Sequence, residues 1–344
     1  MNKQFKSITL VIIPILIMLI LIFSCLGMRV LSNFNQIRLG FQDEYKLEEN
    51  AEYESLWSLN GVPFIGLHEF MPNVINLGSN FYYITSEPIL KSYLVSIDGL
   101  NGEVRWKSKF NLLTRNFLLP GDNMIIRGRN DLPVISAFDE NDGSKLWNQT
   151  LYSANRIKEM YYIEEKLFVY TIDGNFFIIN NEGKLIESFS EIEKTFFVLD
   201  EILYQDGGNR LIGVDIKTKE RIWEINLNRG QIVFSPIIDG ENMFIQTTEA
   251  IFSIKKATRE VNWQSSYNIV SNLCIMNKKI YFLTVDGALM SIDKKTGEQI
   301  SKVKFTPDQF DLQNNYYIAG DTENQILVIS FGDAKQLLGI KIKE

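Results

Sequence analysis

The chain has 344 residues, 45% of them hydrophobic and 12% aromatic, which is ample material for a packed core and excludes a disordered chain. Its net charge is −7, but Lys3, Lys6, Arg29 and Arg38 are the only charged residues before position 40. Residues 40–344 therefore hold 31 basic against 42 acidic side chains, a net charge of −11. An acidic body without a basic stripe repels phosphate backbones, so nucleic acid is excluded as the main partner.

From the N-terminus, residues 1–7 are polar and basic, and Ile8–Met28 carries no charge. Twenty-one residues make roughly 31 Å of helix, close to the ~30 Å hydrocarbon thickness of a bilayer. This predicts an uncleaved signal anchor, with residues 1–7 cytoplasmic and the acidic body outside the cell membrane. A lipoprotein signal ending at Ser24-Cys25 is the alternative, with Cys25 the lipidated residue; Ile22 and Phe23 fit such a signal poorly. A plain secreted protein is a third reading, since a cleavable signal normally has an apolar region of about 7–15 residues. Residues 29–52 are expected to be a linker, and FQDEYKLEENAEYE (41–54) reads as solvated, with a charged helix face over 42–53 as the other possibility.

The body, 53–344, repeats itself. LVSIDGLNGEVRWKS (94–108) returns as ISAFDENDGSKLWNQ (135–149), RLIGVDIKTKERIWEINL (210–227), AIFSIKKATREVNWQSSY (250–267) and ALMSIDKKTGEQISKVKF (288–305). NFFIINNEGKLIESFSE (175–191) is a weaker copy, and ILVISFGDAKQLLGIKI (326–342) a degenerate one. Trp106, Trp147, Trp223 and Trp263 share one register, in which Glu187, Ser301 and Leu338 stand without the Trp. Successive positions lie 36–41 residues apart, and Trp57 stands 49 residues upstream of Trp106. Each unit reads as four short strands; between Trp223 and Trp263 these are QIVFSP, MFIQTT, AIFSI and EVNWQS.

Four strands per repeat of about 40 residues mark a β-propeller blade. The expected fold is all-β, with seven four-stranded antiparallel blades, or eight as the alternative. If ESLWSL pairs with the last blade, the two chain ends close the ring and protect its edges. Asp98, Asp139, Asp215 and Asp293 can accept hydrogen bonds from the turns they open. Gly102, Gly143 and Gly297 supply φ > 0, and the Trp residues bring apolar area to the wedge between blades.

At these residues the chain resembles the pyrroloquinoline-quinone-type (PQQ-like) repeat, a strand ending in Ala-x-Asp, a Gly turn and a Trp. The resemblance covers about 53–344 and implies a propeller of the kind found in quinone-dependent dehydrogenases, the BamB lipoproteins and extracytoplasmic scaffold or sensor domains. In that family the Asp, Gly and Trp are structural, so none is carried over as a site.

Little in the chain points to chemistry. The quinone enzymes of the resemblance use a vicinal cysteine pair, whereas Cys25 and Cys274 are the only cysteines, far apart, and Cys274 reads as a small buried hydrophobe. Asp139-Glu140-Asn141-Asp142-Gly143 starts like a calcium loop, but Thr150 stands where that loop needs a Glu. His68 is the only histidine, and one histidine with no cysteine beside it builds no metal centre. Arg127 and Arg129 form the one compact basic pair of the body; they could reach an anionic ligand, or sit at a solvated hairpin tip.

These readings lead to a membrane-tethered, extracytoplasmic propeller. It is expected to act without cofactor or metal as a non-enzymatic binding or scaffold module for cell-envelope proteins. A ligand-sensing ectodomain and a small quinone- or metal-dependent oxidoreductase are the alternatives.

Overall fold

A computed structural model describes residues 45–48, 50–60, 74–87, 91–111, 116–129, 132–152, 154–190, 193–306, 316–331 and 336–343. The expected span at 8–28, Cys25 and His68 lie outside these residues. Among the described residues no helix is long and apolar enough to cross a membrane.

The body is all-β. Two strands come first in the chain, β1 (Lys46–Leu47) and β2 (Tyr53–Leu59), and then the blades begin. Blade 1 is a meander of β3 (Val74–Leu77), β4 (Asn80–Glu87), β5 (Lys91–Asp98) and β6 (Val104–Asn111), hydrogen-bonded in that order. Five more meanders follow, and with the sheet that joins the chain ends the described residues form seven sheets, seven blades rather than eight. First strands of neighbouring blades lie side by side around the axis, while fourth strands form the outer rim. Burial follows from this. Second and third strands are almost wholly buried, as in Met124–Arg129 and Ala250–Lys255; fourth strands are mostly exposed, as in Leu185–Phe189.

Blade 7 closes the ring from both chain ends. Its first three strands are Tyr316–Asp321, Ile326–Phe331 and Gln336–Ile342, and β2 supplies the fourth, antiparallel to the third. Trp57 therefore takes the Trp position of this blade, opposite Gly339. The copy expected at 326–342 is displaced by one strand: its two segments are the second and third strands, and Leu338 is a buried third-strand residue outside the Trp register. Weak patterning allowed the slip, because all three strands are almost continuously apolar.

Two further expectations change. In blade 5 the first strand is Ile237–Asp239 rather than QIVFSP, because Pro236 has no N–H to give to the ladder; Ile232 keeps a single bridge to Thr247. The solvated linker ends earlier than 52. Tyr45 and Leu47 are buried, and β1 pairs with the outer strand of blade 6 (Gln299–Thr306) as a fifth strand. Tyr45 stacks on Phe331 of blade 7 at 4.4 Å, and its backbone N–H and C=O are both held by the buried Gln336 carboxamide, at 2.8 and 2.9 Å. Two apolar residues in a charged stretch suffice because the wedge between blades 6 and 7 has no tryptophan to fill it.

Candidate functional site

What distinguishes one part of this ring from another is how each seam between blades is closed. The fourth strand of every blade carries a β-bulge one residue before the Trp register: Leu56, Arg105, Leu146, Ile186, Ile222, Asn262 and Ile300 are the extra residues. A bulge re-aims the next side chain. The ring of Trp106 thus turns away from its own blade and lies on the turn of blade 2, where Nε1 donates to the Glu140 carbonyl at 3.0 Å. Trp57 donates likewise to Gly99, Trp147 to Asn181 and Trp263 to Lys294, at 2.8, 2.8 and 3.1 Å.

Under each ring lies the turn glycine of the following blade. A Cβ built on Gly143 would meet Trp106 Cε3 at 2.5 Å, and one on Gly102, Gly183 or Gly297 would meet Trp57, Trp147 or Trp263 at 2.5–2.7 Å. Positive φ (70° at Gly143) is only half of the requirement, since Lys219 and Arg259 adopt positive φ at the same turn position. Close approach of the indole is the other half.

The Asp residues open these turns. Asp98 accepts from the Leu100 N–H and Asp139 from Asn141, both at 2.8 Å; Asp215 accepts from Lys217 and Thr218, and Asp293 from Lys295 and Thr296. A hydrogen bond from Arg105 holds the Asp98 carboxyl below its usual range, and the turn N–H of Thr218 and of Thr296 does the same for Asp215 and Asp293. These carboxylates are occupied by their turns. Asp139–Gly143 is one such turn, with Asp142 accepting from the Ser144 N–H at 2.7 Å.

Arg127 is not at a hairpin tip. It sits inside the second strand of blade 2, only 6% exposed, with its guanidinium 3.7 Å above the Phe110 ring across the seam from blade 1. Arg129 ends the same strand, half-buried. Alternation across IIRGR did not show this because the strand is buried on both faces. Cys274 is buried in the first strand of blade 6, and burial raises its thiol to about 12, so it stays protonated.

Around the axis, two amides staple blades together: Gln246 Nε2 donates to the Ser271 carbonyl at 2.8 Å, and Asn272 bonds both ways with the Ile318 backbone; farther out, Gln336 holds Tyr45. A cavity of about 160 Å³ between first strands is lined mainly by Leu119, Met160, Phe234, Phe244 and Leu273. Near it Lys194 bridges Glu159 and Asp206 at 2.9 and 2.8 Å, and the buried Tyr161 hydroxyl donates to Glu159. Burial works against the Lys194 charge, but the two carboxylates outweigh it and its pKa is raised. Among the described residues no three His, Cys, Asp or Glu side chains are grouped to hold a metal ion.

Among the described residues, one seam stays open. Between blades 3 and 4 the Trp position is Glu187, exposed, and the turn opposite carries Lys219 instead of glycine. Lys219 lies 4.1 Å over Phe189, two residues past the bulged pair. Grooves of about 580 and 360 Å³ flank this seam on its two sides. Blade 6 also lacks the Trp, but there the Tyr53 hydroxyl bonds Ser301 at 2.6 Å and β1 covers the edge. The open seam is the strongest candidate for a binding surface.

Comparison with known proteins agrees with this geometry. A family model described as outer membrane protein assembly factor BamB matches residues 90–303. The chain belongs to this BamB-like family of PQQ-type propellers. BamB from Moraxella catarrhalis is similar in fold, with a TM-score of 0.53 and 13% identity over 85% of this chain and 98% of that one. A chain of a mitotic checkpoint complex is also similar, with a TM-score of 0.64 and 12% identity over 88% and 94%. A search of curated proteins finds no match. At such identities the solved structures speak to the fold alone.

Proposed function

We propose that this BamB-like propeller is a non-enzymatic scaffold that binds proteins of the cell envelope, held outside the cytoplasmic membrane by the apolar segment 8–28. The observation that carries the reading is the seam at Glu187, the one left open among the described residues. A rigid frame with one unfilled, mixed polar and apolar groove suits polypeptide docking. Support comes from the family, whose description is that of an assembly factor.

The test is isolation of the full-length protein from detergent-extracted membranes, with quantification of co-purifying proteins, metals and quinone. A stoichiometric protein partner without metal or quinone is expected. A bound ion and quinone without a partner would instead support an oxidoreductase.

A further inference from the structure

The larger groove at the open seam has a floor of Leu203, Ile212 and Val214, and its walls carry Arg210, Lys219 and Arg221. At about 580 Å³ it falls within the range of ligand-binding clefts, about 300–1,000 Å³. Two carboxylates oppose the three cations: Glu224 pairs with Arg210 and Arg221 at 3.4 and 2.5 Å, and Glu193 stands at the mouth. Lys219 has the face of Phe189 as its partner. The groove is thus net positive on a body whose net charge is −11. Across the seam the sign reverses, with Glu164, Glu187, Asp200 and Glu201 against Lys166 and Lys217. An anionic chain has one side of this seam to enter.

Shape adds a second requirement. At four of the seven seams an indole from the preceding blade lies hydrogen-bonded on the turn, and at a fifth Trp223 stands over Arg259. Here that space holds no ring: Glu187 and Ile216 border it from the smaller groove and Lys219 from the larger one, whose aliphatic floor and guanidinium and ammonium groups favour an aromatic face and a carboxylate. We propose that the seam between blades 3 and 4 docks a partner polypeptide that lays an acidic segment in the cationic groove. Its aromatic side chain enters where the other seams carry their own tryptophan. This deepens the scaffold reading and rests on it.

The probe is a synthetic heptapeptide, SDEWDES, carrying 5-fluorotryptophan and titrated with the full-length protein in detergent while its fluorine NMR signal is followed. A control peptide has every acidic residue replaced by lysine. Saturable broadening of the acidic peptide alone is expected. The Glu187→Trp/Lys219→Gly double variant supplies the ring in cis and should weaken binding about tenfold or more. Lys219→Glu/Arg221→Glu, which leaves the seam open but reverses its charge, should do the same. No binding by the wild type, or equal binding by both variants, overturns the proposal. Co-purification separates it from the scaffold reading. A partner retained equally by both double variants leaves the scaffold and removes this site, whereas no partner on the wild-type protein removes the scaffold reading itself.

Discussion

Gly143 of blade 2 lies directly under the indole of Trp106 of blade 1, with 2.5 Å between Trp106 Cε3 and the place a Cβ would occupy. The repeat is therefore a rule about two neighbours: a tryptophan in one blade requires a glycine in the next. Where the tryptophan is missing, at Glu187, the glycine is missing too, at Lys219.

Gly143→Ala tests the pairing. It forces a Cβ into the ring and a side chain into positive φ, and should cost about 2–4 kcal/mol in chemical denaturation. In a Trp106→Leu background the same change should cost much less, because the clash is gone. A double-mutant cycle reads that coupling; strictly additive losses would refute it.

Arg259 breaks the rule. It occupies the glycine position at φ 63° beneath Trp223, whose Nε1 is buried without a partner, and its guanidinium lies 5.2 Å from the ring. Arg259→Gly should let the ring settle onto the turn and regain a hydrogen bond. The gain expected is about 1–2 kcal/mol, after losing the cation–π contact. Thermal unfolding measures it, and a lower midpoint would count against this account of the seam.

Gln336→Ala leaves the Tyr45 backbone N–H and C=O without their partner in a buried site. A loss of about 2–4 kcal/mol is expected. Hydrogen exchange should accelerate first at Lys46–Leu47 and then along β2; unchanged protection there would show that β1 does not depend on the clasp.

Acid should weaken the fold through carboxylates held low. Burial opposes the charge of Asp286, but hydrogen bonds from Lys302, Thr284 and Lys304 outweigh it and depress its pKa. Asp98, Asp215 and Asp293 are depressed as well. A depressed folded-state pKa gives stability that is present above the unfolded value, about 3.9, and lost as pH falls through the folded one. The unfolding midpoint should hold between pH 7 and about 5 and drop below about 4. Asp286→Asn should be less stable at pH 7, with the gap to wild type closing toward pH 3; a constant gap would rule out this carboxylate as a contributor.

Much of this architecture was legible in the chain. The period, the Asp-x-x-x-Gly turn and the Trp register give the blades, and ESLWSL at the front suggests how the ring closes. What stayed hidden depends on contacts between repeats. Asp139, Gly143 and Trp147 look like one local device, yet Gly143 serves Trp106 and Trp147 rests on Gly183. The bulge at Leu146 leaves no mark in sequence, because the extra residue can be Leu, Ile, Arg or Asn. Blade 7 is apolar on all three of its C-terminal strands, so alternation could not fix its register. Arg127 looked exposed because a buried guanidinium needs a ring supplied by another blade. Glu187 was visible as a departure from the repeat, but its consequence appears only beside Lys219.

The most direct test of the open seam is the thermal unfolding of Glu187→Trp/Lys219→Gly. A ring burying about 150 Å² or more should add about 2–3 kcal/mol, raising the midpoint by several degrees. A midpoint equal to or below that of the wild type would mean that the seam is already closed, and the docking surface would lose its structural basis.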